Sequence, residues 1–243
     1  VTIFLTALVC TRVMGGESYD SRSVTELIDE LVKVDKPTVG LDGLAQLEGF
    51  LPVENEGTYS VGVLGAQPPS TMPEMRELIR RGANALPLLV QHIDDTRPTN
   101  LWVGRAQPYF VKFFLDEYDQ KVRNPGQIGR QTHMTFGQKP IASEYNIRVG
   151  DVCYAIIGQI VNRRLLAVRY QPSGIIIVNS PVEVSTLAEQ VKKDWSGATE
   201  DDLRKSLIED AKDASGSLTN KQAMIRLNFY FPDTNPKLKA GSI

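Results

Sequence analysis

The chain of 243 residues holds only two cysteines, Cys10 and Cys153, and only two histidines, His92 and His133. A structural zinc site takes four Cys or His ligands at close spacing, and these four are scattered, which argues against a bound metal. A disulfide framework is excluded, while a single Cys10–Cys153 bridge stays open. Aromatic residues make up 7% of the chain, and the formal charge is −2. That charge leaves no global basic field to draw nucleic acid or an anionic membrane. Missing too are a P-loop lysine, a G-x-S-x-G elbow and the spaced acids of an EF-hand, so no cofactor is expected. What remains is an ordinary globular composition, with the 42% apolar content needed for a real core.

The N-terminus departs from that pattern. Val1 to Cys10 is an uncharged apolar run, followed by Thr11-Arg12-Val13-Met14-Gly15-Gly16, after which the chain turns polar. It is shorter than the roughly 20 apolar residues of a membrane-spanning helix. It resembles the apolar core and small-residue cleavage zone of a secretory signal peptide over 1–16, although an initiator Met and a basic lead are missing. Truncation or an alternative start codon would account for both. The competing expectation is a buried N-terminal strand. Removal of a signal segment would leave Cys153 as the only thiol.

Helical spacing governs most of the rest. Ser23 and Glu26 form a capping box ahead of Val24, Leu27, Ile28, Leu31 and Val32. Leu44, Leu47 and Leu51 suggest another short helix, and Tyr59 to Leu64 a short strand. Met75, Leu78 and Ile79 recur at helical spacing up to Arg81-Gly82. Leu86, Leu89, Val90 and Ile93 then form a second helix ending at Asp94-Asp95. A helix, a Gly corner and a helix make one unit of a HEAT-type repeat, which buries its apolar faces only by stacking on neighbours.

Between 99 and 149 this period disappears. Tyr109 to Leu115 alternates as a strand does, and Asn124-Pro125-Gly126 marks a turn, so the stretch reads as an insertion with a small β element. Asp151 is placed to cap a strongly apolar helix through Val161. Gly174 to Asn179 reads as a buried strand. Ser180-Pro181-Val182-Glu183 offers another capping box, and helices follow from Thr199 and Thr219. The tail over 233–243 is expected to be loose.

The densest polar group lies at the end of the apolar helix: Gln159, Asn162, Arg163 and Arg164, followed by Arg169, Tyr170 and Gln171. Guanidinium groups offer rigid forks to carboxylates, phosphates or carbonyls. Asp151, Asn162, Arg163, Arg169 and Tyr170 are therefore the candidate ligand or partner site. The competing expectation is that the arginines complement the helix C-terminus and tie it to acids such as Asp151 or Asp94-Asp95. His92, near the end of its helix, suits a structural role. Trp102, Tyr109, Phe110, Phe113, Phe114 and Tyr118 are either a stacking surface or the insertion's own core.

Several segments also carry a likeness to known sequences. These are Leu78-Ile79-Arg80-Arg81-Gly82, His92-Ile93-Asp94-Asp95-Thr96-Arg97-Pro98-Thr99, Gly150-Asp151-Val152-Cys153-Tyr154, Gly158 to Arg163, Ala167 to Pro172, and Val178-Asn179-Ser180-Pro181. Together, over 74–233, they resemble an uncharacterised family of exported bacterial proteins with HEAT-like helical units. The resemblance implies periplasmic or extracellular location and brings no activity, cofactor or catalytic residue.

The expected architecture is mainly α: HEAT-like packed helix pairs in a single domain over 17–232, with a small β-containing insertion at 99–149. The expected function is non-enzymatic, a protein-interaction or scaffold role with a protein partner. The alternative is a hydrolase whose cleft gathers Asp151, Arg163 and Tyr170.

Overall fold

The computed structural model describes residues 19–41, 49–53, 72–106, 108–118, 141, 143–171 and 174–234. The signal-peptide segment, the helix around Leu44 and Leu47, the Tyr59–Leu64 strand, the Asn124–Gly126 turn, His133 and the tail beyond 234 lie outside them.

Helix α1 (Val24–Glu30) starts on its capping box: Glu26 N–H donates to Ser23 Oγ at 3.1 Å, and Ser23 N–H donates to the Glu26 carboxylate at 2.6 Å. Helices α2 (Pro73–Arg80) and α3 (Leu86–Gln91) flank a 3-10 turn at Gly82–Asn84. Gly82 holds φ +53° there, and a Cβ would meet the Tyr230 ring at 2.7 Å. Four further helices follow: α4 (Val149–Val161), α5 (Ser185–Trp195), α6 (Glu200–Ala211) and α7 (Leu218–Tyr230).

The core is organised around α4. Every residue of that helix except Gln159 is buried, as its all-round Val, Ile, Ala and Gly surface requires. It packs against α2 and α3 from the N-terminal half of the chain and against α6 from the C-terminal part. A helical solenoid would place each pair against its sequence neighbours only.

Strands β1 (Pro98–Val103) and β3 (Tyr145–Arg148) pair antiparallel. A second sheet has the order β2-β5-β4, from Val111–Phe114, Ile175–Val178 and Val168–Gln171. The β-branched run of β5 takes the central place, parallel to β2 and antiparallel to β4.

This corrects the expectation of a mainly α fold of HEAT-like helix pairs. Over the described residues the protein is mixed α/β, 49% helical and 13% strand, with two small sheets. The physical reason lies in β5: a buried strand leaves backbone N–H and C=O groups that need partners on both edges, and it takes one from the 99–149 stretch and one from the chain beyond α4. Strand residues on both sides of α4 thus share one sheet. Two helix starts also shift. Helix α4 begins at Val149, so Asp151 sits inside its first turn, and α5 begins at Ser185 rather than on the Ser180–Glu183 box.

Candidate functional site

The candidate residues divide between the two ends of α4 and strand β4. At the C-terminal end, Asn162 adopts the left-handed conformation (φ 57°, ψ 45°) that closes the helix. Its Nδ2 donates to Asp210 Oδ2 at 3.1 Å and to Thr219 O at 3.3 Å. Arg163 forms a buried ion pair with the same Asp210 carboxylate, donates to Ser206 Oγ at 3.1 Å and reaches the Asn162 carbonyl at 2.9 Å. Gly158 leaves room for this return: a Cβ there would lie 2.7 Å from the Arg163 carbonyl oxygen. One turn earlier, the buried Arg226 of α7 donates to Gln159 O at 2.6 Å. These groups fasten α4 to α6 and α7.

Arg169, on β4, makes a two-pronged bond to Glu117, with Nε donating at 2.8 Å. Asn179, just past β5, accepts from Glu117 N–H at 3.1 Å and donates to Leu166 O at 3.0 Å. Tyr170 stacks on Phe110, with ring centroids 5.4 Å apart. Arg163 and Arg169 thus tie helix and strand to acids, but to Asp210 and Glu117 rather than to Asp151 or Asp94-Asp95.

Asp151 stands at the opposite end of the helix, roughly 18 Å from Arg163 at 1.5 Å rise per residue. It is fully buried. Its Oδ2 accepts from Tyr145 O–H at 2.8 Å and from Arg148 N–H at 2.9 Å, closing the first turn from within. Its Oδ1 has no hydrogen-bond partner among the described residues. Burial pushes its pKa up to about 6, against the opposing pull of Ser180, the Arg148 amide and Tyr145. Asp151, Arg163 and Tyr170 therefore do not converge on one cleft.

Two further constellations lie outside the Asp151–Tyr170 set. Asp95 accepts from His92 Nδ1 at 3.0 Å and from Arg97 Nη2 at 2.7 Å, and Arg97 reaches Asp29 on α1 at 2.6 Å. Burial alone would raise the Asp95 carboxyl, but the Arg97 and His92 hydrogen bonds outweigh it and hold the pKa at about 2. The i, i+3 spacing of His92 and Asp95 was the available signal. The other constellation is aromatic. Phe110 and Phe114 pack inward, Phe114 edge-on to Tyr145 at 5.2 Å. Trp102, Tyr109 and Val111 instead stand out at 38%, 95% and 52% exposure. Arg105 lies 3.9 Å over the Trp102 ring and pairs with Glu144 at 2.6 Å. Gly104, at φ +93° just past β1, packs on the side chain of Lys112 in β2.

A cavity of about 230 Å³ lies elsewhere, lined by Lys33, Asp35, Lys36, Thr38 and Met72, and includes none of the candidate residues. Among the described residues no group of three or more His, Cys, Asp or Glu is placed to hold a metal ion. No described helix is long and apolar enough to cross a membrane. No protein-family description, curated protein or solved structure matches this chain. The fold and its interactions define a mixed α/β protein organised around one buried helix.

Proposed function

We propose that the protein is a non-enzymatic interaction module that holds a protein partner through the exposed side chains of Trp102 and Tyr109. The observation that carries this reading is the exposure of Trp102, Tyr109 and Val111 within ten residues of chain, with Arg105 laid over the Trp102 ring. Singly exposed apolar residues are normal on any surface. Trp, Tyr and Arg are the side chains that dominate protein interfaces, Trp and Tyr because they bury much area at little rotamer cost. The arginines first considered for ligand binding are engaged with Asp210 and Glu117, which moves the proposed surface away from Arg163 and Arg169.

The test is affinity capture of the tagged protein from its native extract, with mass spectrometry of what is bound, repeated for Trp102→Ala and Tyr109→Ala. A stoichiometric protein lost in both variants, at unchanged thermal stability, supports the reading. A partner retained by both variants contradicts it. Export is part of the same proposal and is supported by the apolar Val1–Cys10 run followed by Gly15-Gly16. N-terminal sequencing of protein recovered from the cell envelope checks it.

A further inference from the structure

The joint between β3, the start of α4 and the 180–183 turn is built on a single carboxyl group. Hydrogen bonds run toward it in series. Glu183 N–H donates to Ser180 Oγ at 3.2 Å, Ser180 Oγ lies 2.9 Å from Tyr145 Oη, and Tyr145 O–H donates to Asp151 Oδ2 at 2.8 Å. Arg148 N–H donates to the same oxygen at 2.9 Å. Three separate segments are thus held through Oδ2, while Oδ1 is buried with no partner among the described residues. Tyr145, Ser180 and Asp151 are all buried. A buried carboxylate oxygen without a donor is costly, and a proton on the group removes most of that cost.

We propose that Asp151 is a proton-operated latch: the joint is tight when this carboxyl is protonated and loosens as the proton leaves.

Ser180, the Arg148 amide and Tyr145 favour the charged form, but burial outweighs them, and the titratable neighbours favour the neutral form or stand aside. Glu183, on the adjoining turn, adds negative charge and pushes the Asp151 carboxyl further up. Tyr145 keeps its proton, since burial and the Asp151 charge raise its pKa. Cys153, on the same helix, stays a thiol because burial raises it too. Across the Gly150 backbone, Asp95 is already paired with Arg97. No lysine or arginine side chain is paired with Asp151 among the described hydrogen bonds and ion pairs.

The sign follows from linkage. The folded protein binds this proton more tightly than the unfolded chain, whose Asp titrates near its ordinary value of 3.8. The stabilisation is therefore complete below that value and lost as the pH rises through about 6. Asp94, Asp95 and Glu77 are lowered in the fold and lose their contributions only below the ordinary carboxylate range. Between about pH 4.5 and 7.5 the comparison with Asp151→Asn assigns a slope to Asp151.

Urea unfolding across that interval tests the latch. The wild-type unfolding constant is expected to rise by about twenty- to thirtyfold between pH 4.5 and 7.5, since an unfolded Asp has already lost most of its proton at the lower end. In Asp151→Asn the amide oxygen keeps the Tyr145 and Arg148 bonds without a charge, and the profile is expected to be flat. A flat wild-type profile, or an unchanged slope in the variant, overturns the proposal. Direct carboxyl NMR of wild-type Asp151 gives a second measurement that needs no variant. A midpoint near 6 supports the latch, and one in the ordinary Asp range overturns it. In Tyr145→Phe the carboxylate loses a donor, so that midpoint is expected to move upward.

Discussion

The two ends of α4 solve the same problem in opposite ways. Each must anchor a helix whose body is buried, and each uses a carboxylate. At the C-terminal end Asp210 meets Arg163 and Asn162, and Arg163 is satisfied in turn by Ser206 and two backbone carbonyls. At the N-terminal end Asp151 receives only neutral donors, and one of its oxygens receives none. A buried charge that is paired and hydrogen-bonded holds its place over a wide pH range, whereas one left half-satisfied shifts its proton affinity instead. The same helix thus has one fixed end and one titratable end.

The sharpest way to break the comparison is Arg163→Ala, which leaves Asp210 buried without its counter-charge. A loss of about 3–5 kcal/mol in unfolding free energy is expected, measured by urea denaturation. Asp151→Asn is expected to do the reverse at pH 7.5, raising stability while erasing the pH dependence described above. Next comes Gly158→Ala, whose Cβ would press on the Arg163 carbonyl and on Leu165. Thermal and urea unfolding are expected to show a loss of about 1–3 kcal/mol as the C-terminal closure is pushed open. Ser217 caps α7 through Asn220 N–H at 3.1 Å and so supports the Thr219 carbonyl that Asn162 uses. Ser217→Ala is expected to cost about 1 kcal/mol by the same measurement. Trp102→Ala is expected to change stability least, by about 0.5 kcal/mol or less in a thermal melt, while partner binding is lost.

How far this was legible in the sequence depended on the range of the interaction. The Ser23–Glu26 box and the acidic start of α6 act within one turn, and both stand where their spacing placed them. The helices on either side of Gly82 were legible from periodicity, and the Ile175–Val178 strand from its β-branched run between turn signals. Strand pairing was not, because alternation marks a strand without naming its partner: Val111 pairs with Ile175, far along the chain. That missed pairing is what made a mixed fold look mainly α.

The arginine cluster shows the same limit. Arg163 and Arg169 were visible as a dense polar group, and a tying role was one of the two expectations. Their actual acids, Asp210 and Glu117, lie 47 and 52 residues away in sequence, beyond any local pattern. Asp151 was legible as a helix-start residue. Its burial and its bare oxygen depend on Tyr145 and Ser180 arriving from two other segments.

The contrast between the two ends is tested most directly by amide hydrogen exchange across α4 at pH 5 and pH 7.5, corrected for the intrinsic rate. Protection at Arg148 and Glu183, whose N–H groups feed the Asp151 joint, is expected to fall at the higher pH. Protection of the Arg163 amide, which donates to Gly158 O, is expected to stay constant. Equal changes at both ends, or none at either, would contradict the account.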